Sequence, residues 1–348
     1  MHMQAACNAG ALCVDAADPA LTEGTVRALC SWTSAADCGS PAQATLCAAM
    51  ACAATVHVHT WARDTLVDVM RVAAGAAVPE AGLLLDTALH TGRWEALPQL
   101  VAAVATAPCW PSPPLAAAVR RCLGAVCTHA AVGADVHALV REALRAVGAW
   151  VDRGWAWAAR DLDPAGTLCT VLAAGHVLLR NQSSRHGGLC MEVLAWVGAR
   201  CEFARKALHD APAPVWDWVL GVLRDVLAWG CGSPMAVPVW GVFGVLHAVL
   251  PECPQRAAQL ADVVLPTVAA WAQAAGAAVR HDAVTCARRG LQVLERCCLC
   301  LLPFCPHDAL VVGVCELLLG SNPWADRALK TQWSRRVRTA VMSTCCRP

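Results

Sequence analysis

One punctuation mark recurs along this chain and constrains it more than any other feature. Six times a residue whose short side chain caps a helix is followed at once by proline: Asp18-Pro19, Ser40-Pro41, Ser112-Pro113, Asp163-Pro164, Ser233-Pro234 and Asn322-Pro323. The capping oxygen satisfies amide groups that the first helical turn leaves unbonded, and proline, having no amide hydrogen, fits the first helical position without loss. Ser40 also has Gln43 three residues on, the spacing of a capping box. Gly92, Gly154, Gly230 and Gly320 follow periodic segments, where a left-handed residue ends a helix. A chain punctuated in this way is a series of short helices.

Between the marks, apolar residues recur every three or four positions rather than alternating. In 135–152, Val136, Val140, Leu144, Val147 and Val151 form one stripe, with Arg141, Arg145 and Asp152 off it. In 254–275 the stripe is Leu260, Val264, Val268, Trp271 and Ala275, with Pro266 placed to kink the helix. Segment 214–229 has two apolar faces, Trp216/Leu220/Leu223/Leu227 and Trp218/Val222/Val226/Trp229, which predicts packing on two sides. The whole pattern predicts about fifteen helices, near 19–32, 41–56, 60–74, 79–90, 94–106, 113–130, 135–152, 164–180, 187–209, 214–229, 234–250, 254–275, 282–302, 306–319 and 323–344. No strand-turn-strand pattern interrupts them, so the expected class is all-α.

Composition narrows the classes further. A chain of 348 residues that is 57% apolar and 15% charged, with net charge +1, is not a charged disordered tail and has no global reason to bind nucleic acid. It has 22 Cys and 15 Trp but no Tyr and only three Phe. Most of these cysteines fall inside periodic apolar segments, and Cys122, Cys127, Cys169, Cys190, Cys201, Cys286 and Cys315 read as small core hydrophobes. The N-terminus lacks a basic stretch followed by a continuous apolar run, so reduced thiols and a cytoplasmic or nuclear location are expected. The competing reading is a multi-pass membrane protein, because mean hydropathy is +0.46 and Val226 to Pro251 holds no charge. Gly230-Cys231-Gly232-Ser233-Pro234 divides that run into pieces shorter than the roughly 20 residues a span requires.

Taken in pairs, the helices repeat at about 45 residues, within the range of known helical repeats. Leu97-Pro98-Gln99-Leu100-Val101 and Val263-Val264-Leu265-Pro266-Thr267-Val268-Ala269-Ala270-Trp271 are similar to runs common in HEAT and armadillo repeats. The chain resembles such a solenoid in rhythm and helix pairing. That resemblance implies a right-handed superhelical stack of antiparallel helix pairs, which binds a protein partner along an extended surface and needs no cofactor. Its organisation would be helical repeats over 1–180, a joint at 181–188 where the chain is most polar and glycine-rich, and further repeats over 189–348, or one continuous solenoid. A second break lies at Trp110-Pro111-Ser112-Pro113-Pro114.

Candidate chemistry is sparse. Cys297, Cys298, Cys300, Cys305 and His307 are the densest cluster of metal-ligating types, but Leu299, Leu301, Leu302 and Phe304 interleave them as in a buried helix end. His57 and His59, two apart, diverge on a helix and converge only on extended chain. No phosphate-binding loop, nucleophile elbow or zinc-protease motif occurs, so a thiol- or metal-dependent enzyme is the third reading and a non-catalytic scaffold the first. The terminal Cys345-Cys346-Arg347-Pro348 departs from a prenylation signal. Trp150, Trp196 and Trp271 are expected in the core, and Trp94, Trp110, Trp155 and Trp324 near helix ends.

The strongest charge asymmetry is in the last helix. Arg327, Lys330, Arg335, Arg336 and Arg338 accompany a single acid, Asp326, while Leu329, Trp333, Val337 and Val341 form the apolar stripe. The basic side chains are therefore expected to face outward, as the polar cap of a solenoid and as a candidate surface for an acidic protein partner, nucleic acid or acidic lipid.

Overall fold

In a computed structural model of the chain, the described residues are 18–33, 41–128, 134–153, 163–180, 184–209 and 211–232. Among them are eleven helices and no strand: α1 Pro19–Thr33, α2 Pro41–Val56, α3 Arg63–Gly75, α4 Glu80–His90, α5 Leu97–Ala105, α6 Pro113–Thr128, α7 Ala134–Asp152, α8 Pro164–Arg180, α9 Ser184–Ala199, α10 Cys201–His209 and α11 Ala213–Gly232. The five segments predicted from 234 onward lie outside the described residues.

Two of the six capping signals, Asp18 and Asp163, act as their chemistry dictates, while Ser40, Ser233 and Asn322 lie outside the described residues. Asp18 Oδ1 accepts from the amides of Ala20 (2.9 Å) and Leu21 (3.3 Å), closing the start of α1. Asp163 does the same for α8, accepting from Gly166 at 3.0 Å, while its other oxygen takes a bond from Arg120 of α6 at 3.0 Å. A Cβ at Gly166 would lie 2.1 Å from the Asp163 carboxylate, so a larger residue there would make that capping side chain shift. Ser112 behaves differently: its hydroxyl points at the Val78 carbonyl, 3.5 Å away, and so ties the start of α6 to the end of α3. Gln43 likewise reaches the Thr33 carbonyl at 3.5 Å, bridging α1 and α2.

Two helices end in the same left-handed motif with different residues. After α4, Gly92 has φ +74° and its amide bonds Leu89, while the Arg93 amide bonds Ala88. After α3, the corresponding position is Ala77, with φ 55°, and the bonds run from Ala77 to Ala74 and from Val78 to Ala73. The helix start predicted at 60 moves to Arg63, because the amides of Thr60 and Trp61 both turn back onto the His57 carbonyl. The single helix predicted over 187–209 is two helices. At Arg200 the chain tightens onto Val197, and the Arg200 carbonyl opens the next helix by accepting from Ala204. Helix α11 runs through Gly230 to Gly232, past the stop expected there.

The chain divides into two compact units, 1–174 and 175–348. In the first, the principal packings place α1 on α3, α3 on α5 and α5 on α7, and likewise α2 on α4 and α4 on α6; sequence neighbours such as α2 and α3, or α6 and α7, pack across. The interior between them is apolar. Leu66, Leu84, Leu85, Leu97, Leu100, Leu123 and Leu139 are fully buried, and so is Trp61, whose indole nitrogen donates to the Pro19 carbonyl at 3.1 Å. Each such side chain contributes about 1.5–3 kcal/mol by leaving water. On α7 the expected stripe is buried at Val136, Val140, Leu144 and Val147, with Arg141 and Arg145 outside. Helices α4 and α6 approach closely at Gly82, where an added Cβ would stand 2.7 Å from the Pro114 backbone. In the second unit α9 packs with α10, and Trp216, Val219 and Val222 bury one face of α11. Trp218 is exposed, so at this position the two-sided packing expected of α11 does not occur.

Ala77→Gly is expected to raise stability by about 1 kcal/mol, since a left-handed conformation costs a residue with a Cβ roughly 1–2 kcal/mol. Gly82→Ala is expected to lower stability by about 1–3 kcal/mol, because the α6 backbone has to move. Urea unfolding followed by circular dichroism measures both shifts.

Candidate functional site

Long-range polar contacts in the first unit are made chiefly by arginines that reach from one helix pair to another. Arg93, between α4 and α5, donates to the carbonyls of Val58 (2.6 Å), His59 (3.0 Å) and Trp61 (3.4 Å), and pairs with Glu95 at 2.6 Å. One guanidinium thus satisfies three carbonyls that the end of α2 leaves open. Arg153, after α7, does the same for the turn after α5, donating to Ala107 at 3.0 Å and Pro108 at 3.5 Å. Arg121 of α6 forks onto Asp86 of α4, with one arm at 2.8 Å. At the other end Glu23 of α1 accepts from the Ala62 amide (3.1 Å) and the Thr65 hydroxyl (2.7 Å), closing the start of α3, while Arg27 holds Thr65 and Glu23 together.

These contacts span similar lengths of chain, from 32 residues for Arg93 to Trp61 through 46 for Arg153 to Ala107. In the second unit His176 and Asp225, 49 apart, meet at 2.9 Å. In the first unit each of these contacts joins elements two helices apart, whereas His176 and Asp225 join α8 to α11.

Among the described residues, six thiols are packing groups. Burial pushes Cys30, Cys122 and Cys190 up to about 12, with nearby acids Asp68 and Asp86 adding to the effect at Cys30 and Cys122. Burial also raises Cys127, Cys169 and Cys52, with Asp163 and Glu80 assisting at the last two. Protonated thiols in apolar surroundings are poor nucleophiles and poor metal ligands. The Cys30 thiol lies against the Met50 sulfur at 3.9 Å, a soft contact between α1 and α2. Among the described residues no three His, Cys, Asp or Glu side chains gather to hold an ion. His57 stacks on Trp61 with ring centroids 5.6 Å apart, and His59 faces water in the turn that Arg93 pins.

The basic residues singled out in the sequence, Arg327, Lys330, Arg335, Arg336 and Arg338, lie outside the described residues, as do the Cys297–His307 cluster and Cys345-Cys346. Of the tryptophans, Trp150 is buried and Trp110 is 45% exposed, as expected, while Trp94 is half-buried. Trp196 is also half-buried, with the Arg200 guanidinium 4.7 Å over its ring and Phe203 edge-on at 6.0 Å. Sequence reading missed exposed Leu21 and Trp32 on α1, Val56 at the end of α2 and Leu83 on α4. It missed the arginine brackets too. Arg93 stands beside a helix-ending glycine, and that position is a signal for a carbonyl cap, but its target is set by the fold. Among the described residues, no helix is long and apolar enough to cross a membrane.

No protein-family model matches the chain, and no curated protein does. Among solved structures it is similar to one described as a circular tandem repeat protein with novel repeat topology and enhanced subunit contact surfaces. The identity is 11%, over 99% of this chain and 82% of that one. The TM-score is 0.27, too low for the likeness to carry an argument.

Arg93→Ala is expected to cost about 1.5–3 kcal/mol, the range for hydrogen bonds to a charged group, with Arg93→Lys recovering only part because an ammonium does not reproduce the planar fork. Thermal unfolding of the three proteins gives the ranking. The thiols predict a direction with pH. Their folded values are raised from the usual 9.0 to about 12, so the unfolded chain releases these protons first. Their contribution to stability is complete below about pH 9 and is lost as pH climbs toward 12. Denaturation series across that window, together with thiol labelling that leaves Cys30, Cys122 and Cys190 unmodified at pH 8 until denaturant is added, check it.

Proposed function

We propose that this chain is an α-solenoid of the HEAT/armadillo kind, a right-handed superhelical stack of antiparallel helix pairs, acting as a non-catalytic scaffold or adaptor that binds a protein partner along its helical-repeat surface. The observation that carries the reading is the order of packing: in the first unit α1, α2, α3, α4 and α5 each lean on the helix two places further along, layer by layer. A stack of repeats has that nearest-neighbour order, because a lone helix pair cannot bury its apolar faces. The polar brackets support it, since their spans of 35, 43 and 46 residues bracket the length of one helical repeat. Buried thiols that serve as core, and the absence from the sequence of a nucleotide or nucleophile motif, favour binding over catalysis. The eight cysteines with described side chains are free, as expected of a protein working in the cytoplasm or nucleus.

The partner surface in this reading includes the basic segment that the sequence predicts as a helix over 323–344, with Arg327, Lys330, Arg335, Arg336 and Arg338 expected on its polar side. An acidic protein segment is the complement such a surface selects. The test is affinity capture from native cells with the full chain, compared with a variant carrying Arg335→Glu, Arg336→Glu and Arg338→Glu. Loss of the captured partner with unchanged helicity is expected; an unchanged capture would remove the basic helix from the binding surface. Weakening of wild-type capture as salt is raised is the accompanying electrostatic signature.

A further inference from the structure

We draw no further inference here: the strongest candidate, the exposed face of α1 that leaves Leu21 and Trp32 66% and 62% accessible, is an unpartnered apolar surface and nothing in the structure shows what covers it.

Discussion

The first unit depends on apolar burial between helices two apart in the sequence. A helix such as α3 has too little apolar surface to be stable in water alone, and isolated helices of 13 residues are marginal even with good composition. Its stability comes from Leu66, Val69, Met70 and Ala73 being covered by α1, α2 and α5 together. Each helix is thus partly the core of the next pair. The abundance of alanine fits this arrangement, because small side chains let helix axes approach, as where Gly82 lies against the backbone of α6.

Packing of this kind leaves the helix ends as its difficulty, since every turn strands carbonyls and amides near the core. Two devices meet that cost. Local ones are read from the adjacent sequence: Asp18 and Asp163 at starts, Gly92 at a stop. Long-range ones are Arg93 and Arg153, which close the turns after α2 and α5, and Glu23, which closes the start of α3. The long-range devices also fix how one helix pair sits on the next, so satisfying the backbone and registering the helices are the same act. The raised thiols of Cys30, Cys122 and Cys190 belong to this picture as core atoms.

Helix order and most helix bounds were legible in the sequence, because the 3.6-residue period and the cap-proline pairs are local properties. From 19 to 180 the eight described helices coincide with eight predicted segments, within a few residues at each end. What was not legible depended on tertiary context. Ala77 adopts the left-handed conformation that sequence reading reserves for glycine, because the packing of α3 and α4 fixes the turn. The break at Arg200 carries no proline or capping side chain, and Trp218 sits on an apolar stripe but faces water. The arginine brackets join residues tens of positions apart, and nothing near Arg93 names Val58 as its partner. The charge asymmetry from Arg327 to Arg338 is a matter of composition and lies outside the described residues; the exposure of Trp32 and Leu83 was not legible, since exposure is decided by what packs beside them.

The proposed solenoid makes one geometric demand that a globular bundle does not. In a linear stack, helices of one layer are separated by a fixed step of about 8–10 Å, and the distance grows with each helix counted. Pairs of spin labels on genetically encoded residues, which leave the native cysteines untouched, measure this directly when one label is at Ser31 on α1 and the other at Arg71 on α3, Gln99 on α5 or Arg145 on α7, all of them exposed positions. Stepwise lengthening from α3 to α5 to α7 is the result the account predicts. An α1-to-α7 distance as short as that from α1 to α3 would mean that the helices close on themselves, and would contradict it.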